Sequence, residues 1–266
     1  MKFTKMQGAG NDYVYVNCFE EEVADPSAAA IRVSDRHFGI GSDGLILICP
    51  SDCADVRMRM FNADGSEGEM CGNGVRCVAK YAYDHQLVHS EKIDVETLGG
   101  IKHIRLRVKE GRAVAATVDM GQVKLTSELP EKITVDGRER EFIGIDVGNP
   151  HAVYYEENVK DLPLASFGPA YERHPRFPKR VNSEFVRVID RTHLEMRVWE
   201  RGSGETMACG TGATACAVAS MMMGYTEDET TVHLLGGDLI IRWDRESGHA
   251  FMTGPAVEVF HGEIDL

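Results

Sequence analysis

The chain has 266 residues, 43% of them apolar and 27% charged, which is enough to bury a substantial core. Its net charge of −13 argues against a nucleic-acid or anionic-membrane surface. No apolar run approaches the ~18 residues of a membrane helix, and MKFTKMQGAGNDY carries no signal-peptide h-region, so a cytoplasmic location is expected.

Taken in order, residues 2–6 and 13–17 read as strands around a GAGN turn. Asp25-Pro26 opens a helix, with Asp as the cap and Pro in the first turn. After the glycine-rich HFGIGSDG loop come strands at 45–49 and 56–61. Apolar residues at helical spacing follow Cys71-Gly-Asn-Gly and predict a mostly buried helix. Strands are expected at 92–97, 101–108 and 112–119. The stretch 121–132 changes character and marks a candidate boundary. Asp136-Gly137 suits a type I′ hairpin turn. Strands at 143–147 and 152–155 flank Gly148-Asn149-Pro150-His151, and a weak helix is expected at 163–173. Strands at 181–189 and 193–200 lead into a second Cys loop and a helix over 211–223. Strands at 230–235, 238–243 and 249–253 follow, and the tail 256–266 reads as one more.

One stretch occurs twice. MRMFNADGSEGEMCGNG (58–74) and MRVWERGSGETMACGTG (196–212) share Met-Arg, a Glu (Glu67, Glu205), the Cys and both closing glycines, without a gap. An offset of 138 (209 − 71) also brings Gly10-Asn11 onto Gly148-Asn149. Leu98-Gly99-Gly100 falls on Leu235-Gly236-Gly237 one position short of that offset. These landmarks imply a tandem duplication. The expected fold is α+β: two pseudo-symmetric domains, each a mostly antiparallel sheet or barrel around a central helix. The first spans 1–118, with the tail 255–266 returning to it, and the second spans 119–254. The competing reading is one large α+β domain with chance similarity.

Seven cysteines, an odd number, argue against a disulfide framework; Cys49 and Cys53 are four apart but no second Cys or His pair sits at a suitable zinc spacing, so no metal is expected. Cys18, Cys49, Cys53, Cys77 and Cys216 read as small packing residues. Cys71 and Cys209 differ, because each stands in a glycine loop ahead of a helix, where the N-terminal field favours a thiolate. The N–H groups of Gly72-Asn73-Gly74 and Gly210-Thr211-Gly212 suit an anion. Two such thiols facing one pocket suit inversion of an amino-acid α-carbon, one taking the proton and the other returning it. The N–H groups would stabilise the enolate-like carboxylate. No pyridoxal-binding pattern is present, so no cofactor is expected.

The motifs GAGNDY, FNADGSE, MCGNGVRC, GNPHAV and VWERGSGETMACGTGA, spread over the whole chain, resemble the diaminopimelate epimerase family. The resemblance implies cofactor-independent interconversion of LL- and meso-diaminopimelate by two thiols, commonly in a homodimer. It implies Cys71 and Cys209 as catalytic residues. Substrate would be bound by Asn11, Asn62, Gly72, Asn73, Asn149, Asn182, Glu200, Arg201, Gly210 and Thr211. His151 would be a modulator of one thiol or a packing residue. Some members carry Gln where this chain has Gly44, so that side-chain contact is absent or replaced. Proline racemase-like enzymes would show a Cys-Gly-His-Gly loop, and a phenazine-synthesis isomerase-like protein would lack the Cys pair. A histidine racemase would share both loops, but Arg201 beside Glu200 favours a substrate with a second carboxylate and ammonium. A thiol-based redox switch is the alternative from outside enzymology.

Overall fold

The computed structural model describes all 266 residues and divides into two compact units, Met1–Val118 with Thr253–Leu266, and Asp119–Met252. The first unit begins with β1 (Lys2–Gly8), β2 (Asn11–Asn17), α1 (Pro26–Ser34), β3 (Gly44–Cys49), β4 (Val56–Asn62) and the short β5 (Glu67–Gly68). It continues through α2 (Gly72–Asp84), β6 (Lys92–Thr97), β7 (Gly100–Lys109) and β8 (Arg112–Gln122). The second unit holds β9 (Lys124–Leu125), β10 (Glu131–Val135), β11 (Arg138–Asp146), β12 (Pro150–Tyr155) and α3 (Leu164–Glu172). After them come β13 (Asn182–Val188), β14 (His193–Glu200), β15 (Gly204–Glu205), α4 (Gly210–Met222), β16 (Glu229–Leu234), β17 (Gly237–Trp243) and β18 (His249–Gly254). The last strand, β19 (Val257–Glu263), pairs with β1 of the first unit. No helix is long and apolar enough to cross a membrane.

Local chemistry sets the element ends. Asp25 caps α1 by accepting the Ala28 N–H at 3.0 Å, with Pro26 in the first turn. Asp136 (φ 47°) and Gly137 (φ 76°) form the left-handed pair that a two-residue hairpin between β10 and β11 requires. The two-residue strands β5, β9 and β15 are too short for any period to appear in the sequence.

The duplication is written in the strand register. In the first unit β1–β2 is antiparallel, β2–β3 parallel, β3–β4 antiparallel, β4–β6 parallel and β6–β7 antiparallel. The series β11–β12–β13–β14–β16–β17 repeats these senses in the same order. Leu45 pairs with Phe61, and 138 positions on Ser183 pairs with Trp199. Two parallel contacts per unit make each sheet mixed, within the mostly antiparallel arrangement expected.

Each sheet buries both faces. In the first unit Val14, Val16, Leu45 and Leu47 pack with Ala29, Ala30 and Val33 of α1. Ile46 points to the opposite face, where its Cδ1 lies 2.7 Å from the position a Cβ on Gly74 of α2 would occupy. In the second unit Ala152, Tyr154 and Phe185 pack against Leu164 and Tyr171 of α3, leaving the other face to α4. The two central helices are therefore buried nearly all round: ten of the 13 residues of α2 and eleven of the 13 of α4 are inside. Each buried Val or Ile in such a core contributes about 1.5–3 kcal/mol. The small Ala213, Ala215, Ala217 and Ala219 let the strands close around α4.

Candidate active site

The two cysteines of the repeat are the N-caps of the two central helices. Cys71 has extended dihedrals (φ −131°, ψ 117°), and its Sγ accepts the Gly74 N–H at 3.3 Å. Cys209 (φ −118°, ψ 109°) accepts the Gly212 N–H at 3.3 Å in the same way. A sulfur so placed meets an N–H group and the positive end of the helix, and both interactions favour its anion. Gly74 and Gly212 lie in close packing. A Cβ on Gly74 would lie 3.5 Å from Cys71 Sγ and 2.7 Å from Ile46, and one on Gly212 would lie 3.2 Å from Cys209 Sγ and 2.8 Å from Glu184.

In the first unit Cys71 donates its S–H to Asn11 Oδ1 at 3.2 Å, and the Asn11 amide donates to Asp43 at 2.7 Å. Asp43 also accepts the Asp12 N–H at 3.1 Å and pairs with Arg36 at 3.0 Å. Asn73, in the first turn of α2, accepts from the fully buried Arg76 at 2.9 Å. Arg76 also donates to Gly72 O and Pro255 O, which ties the cap to the returning tail. Asn62, at the end of β4, donates to Ser66 within its own loop.

In the second unit Thr211 Oγ1 lies 3.5 Å from Cys209 Sγ and accepts from Asn149 Nδ2 at 3.4 Å. Asn149 Oδ1 meets His151 Nε2 at 3.0 Å, and His151 Nδ1 meets Glu184 Oε1 at 2.7 Å. His151 and Glu184 are fully buried, and Glu184 Oε2 has no hydrogen-bond partner. Asn182, opposite Glu200 by register, donates to Pro150 O at 3.1 Å and accepts the Arg201 N–H at 2.9 Å. Glu200 accepts a short hydrogen bond from Thr206. The Arg201 guanidinium is exposed and reaches Lys179 O at 3.4 Å. Burial pushes the Cys209 thiol up; the Glu200 and Glu184 carboxylates add to the shift, and the Thr211 and Gly212 hydrogen bonds oppose it.

The structure thus groups Asn11 with Cys71, Asn149, His151 and Thr211 with Cys209, and Asn182 with Arg201. Sequence reading missed Arg76, Asp43 and Glu184. The available signal for Glu184 was the repeat itself, since the same offset pairs it with Ile46 in an otherwise apolar strand. Cys53 corrects an expectation: it is exposed rather than packed, because it sits in the turn before β4. Cys77 and Cys216 are buried as expected.

Solved structures share the architecture. A phenazine biosynthesis protein of Bacillus anthracis superposes with a TM-score of 0.76 at 17% identity, over 100% of this chain and 99% of that one. A probable proline racemase from Agrobacterium radiobacter K84 gives 0.75 at 13% identity, over 100% and 93%. The family comparisons define the class on which this doubled fold and its two capping cysteines stand, an isomerase of the amino-acid epimerase kind. The profile described as diaminopimelate epimerase matches residues 3–126 and 143–259. A diaminopimelate epimerase of Acetivibrio thermocellus is 57% identical over 100% of this chain and 99% of its own length. The chain belongs to the diaminopimelate epimerase family.

Proposed function

We propose that the protein interconverts LL- and meso-diaminopimelate, with Cys71 and Cys209 acting on opposite faces of one α-carbon. The observation that carries this reading is the pair of cysteine N-caps, each with its sulfur on a helix start. One sulfur takes the α-proton as thiolate while the other returns a proton as thiol, and the roles exchange in the reverse direction. The N–H groups of Gly72, Asn73, Gly210 and Thr211 hold the reacting carboxylate and stabilise the charge that grows on it. The Arg201 guanidinium forks onto the distal carboxylate. Asn11, Asn62, Asn149 and Asn182 supply neutral hydrogen bonds, and Glu200 takes an ammonium. The protein supplies all the stabilisation itself, without a cofactor.

Following α-proton exchange in D₂O with LL-diaminopimelate, histidine, proline and lysine side by side tests the substrate. Exchange should be fastest with diaminopimelate, and fastest exchange with histidine would overturn the choice. Cys71→Ala and Cys209→Ala should each abolish epimerisation; near wild-type turnover in either removes the two-base scheme. We also read the protein as a cytoplasmic homodimer. Seven free thiols suit a reducing compartment, and Val257, Val259 and Phe260 expose apolar surface on β19. Light scattering on the purified protein should give twice the chain mass of 29.4 kDa.

A further inference from the structure

Beneath the two central helices, two buried strand positions change chemistry between the halves. His151 stands where the first unit has Tyr13, and Glu184 where it has Ile46, each 138 positions on. Tyr13 and Ile46 are buried on the face toward α2, as His151 and Glu184 are on the face toward α4. The second unit has therefore replaced a phenol and an alkyl group by a titratable pair, at the cost of burying charge.

The asparagines that lead to the two thiols are equivalent, Asn11 and Asn149, but their outer partners have opposite polarity. Asp43, which also accepts the Asp12 N–H and pairs with Arg36, can only accept from Asn11. Asn11 thus turns its oxygen to Cys71, and Cys71 is the donor. On the other side a Glu184 carboxylate would accept, which puts the proton of that 2.7 Å contact on His151 Nδ1. Asn149 presents its oxygen to Nε2 and its NH₂ to Thr211. With Nε2 protonated, every link points one way: His151 to Asn149, Asn149 to Thr211, and the Thr211 hydroxyl to Cys209 Sγ. With Nε2 bare, every link must reverse, and Cys209 becomes the donor.

We propose that Glu184 is a positioning residue: through His151, Asn149 and Thr211 it sets the hydrogen-bond chain so that Cys209 is the acceptor, the resting thiolate, while Asn11 and Asp43 keep Cys71 as the thiol. Burial and the Glu200 and Glu184 carboxylates push the Cys209 thiol up. The chain is the counterweight: an imidazolium between Glu184 and Asn149 leaves the pair neutral as seen from the sulfur, and adds a hydroxyl donor to the Gly212 N–H. The other titratable groups near this site are Glu200 of β14, Cys216 of α4 and, on the opposite face of the sheet, Tyr154 of β12. None of them lies in the chain of bonds. The inference rests on Cys209 being one of the two reacting thiols, but its test needs no turnover.

The test is the pH dependence of iodoacetamide labelling, read by mass spectrometry for each cysteine in substrate-free wild type, Glu184→Gln and Glu184→Asp. Glu184→Gln should slow Cys209 labelling about tenfold at neutral pH, the rate change that one unit of thiol pKa gives. Cys71 should be unaffected, and Glu184→Asp should recover part of the rate. Unchanged or faster Cys209 labelling in Glu184→Gln overturns the proposal, since it makes Glu184 an inert or bare opposing charge. A second measurement stays within the wild-type sequence. The ¹⁵N shifts of His151 at neutral pH should be those of an imidazolium, and a bare Nε2 overturns the proposal even if the variants fail to fold. Loss or retention of diaminopimelate epimerisation bears on the proposed function and leaves both readouts untouched.

Discussion

The Asn182 side chain is a bracket: it accepts the Arg201 N–H at 2.9 Å and donates to Pro150 O at 3.1 Å. One amide at the start of β13 thus fixes both the turn after β14, which carries Arg201, and the start of β12, next to Asn149. Asn182→Ala leaves two backbone groups without their partner, a loss of about 1–3 kcal/mol. We expect KM for diaminopimelate to rise about tenfold with a smaller fall in kcat, measured by steady-state kinetics. A fall in kcat alone would place Asn182 with the reacting centre instead.

The cysteine caps separate chemistry from folding. A serine hydroxyl is a good N-cap, whereas alanine provides no acceptor and costs about 1 kcal/mol. Cys71→Ser and Cys209→Ser should be inactive with near wild-type melting temperatures. The alanine variants should be inactive and melt about 2–4 °C lower, the shift such a loss gives in a chain of this size. Calorimetry on the four variants checks this.

Gly44 begins β3 with no room for a side chain. A Cβ there would lie 2.1 Å from Phe61 O and 2.8 Å from Tyr13. Gly44→Gln should therefore not supply the glutamine contact that the family resemblance implies for this position. It should destabilise by about 2 kcal/mol or more, through displacement of the β3–β4 ladder. A variant with unchanged urea midpoint and lower KM would contradict this.

Cys49, expected from sequence to be a packing residue, is half-buried, and outside the site it is the thiol for which fast labelling is predicted. The Cys18 thiol donates to it, and Arg59 and Arg57 lie near, bringing it down to about 7 from 9.0, while Cys18 is pushed up and keeps its proton. The folded-state value of Cys49 is the lower one, so its stabilisation grows as pH rises from about 7 towards 9 and is lost as pH falls through about 7; above 9 the raised Cys18, still protonated, offsets it. At pH 7.5 Cys49 should label faster than buried Cys77 and Cys216. Cys18→Ala should slow it by removing the donor, and peptide mapping after brief alkylation gives the rates.

Most of the strand order was legible because period and turn chemistry agree: β6 and β14 span the ranges expected of them, and Asp136-Gly137 forms its hairpin. The loops around Cys71 and Cys209 were legible because glycine spacing repeats there. Arg76 and Glu184 were not, since a buried charge reads like any other charge until its surroundings are known. The parallel pairings β2–β3 and β4–β6 were equally hidden, because sheet order depends on crossovers rather than on strand composition.

Because each sulfur proposed to react also closes the first turn of a helix, its proton has a mechanical as well as a chemical meaning. A thiolate accepts the Gly74 or Gly212 N–H more strongly than a thiol does. In a two-thiol cycle, every inversion of the substrate then tightens the start of one central helix and loosens the other. The resting enzyme and its reverse-direction form would differ in which half of the duplicated chain is the stiffer, a difference that amide exchange at α2 and α4 would register.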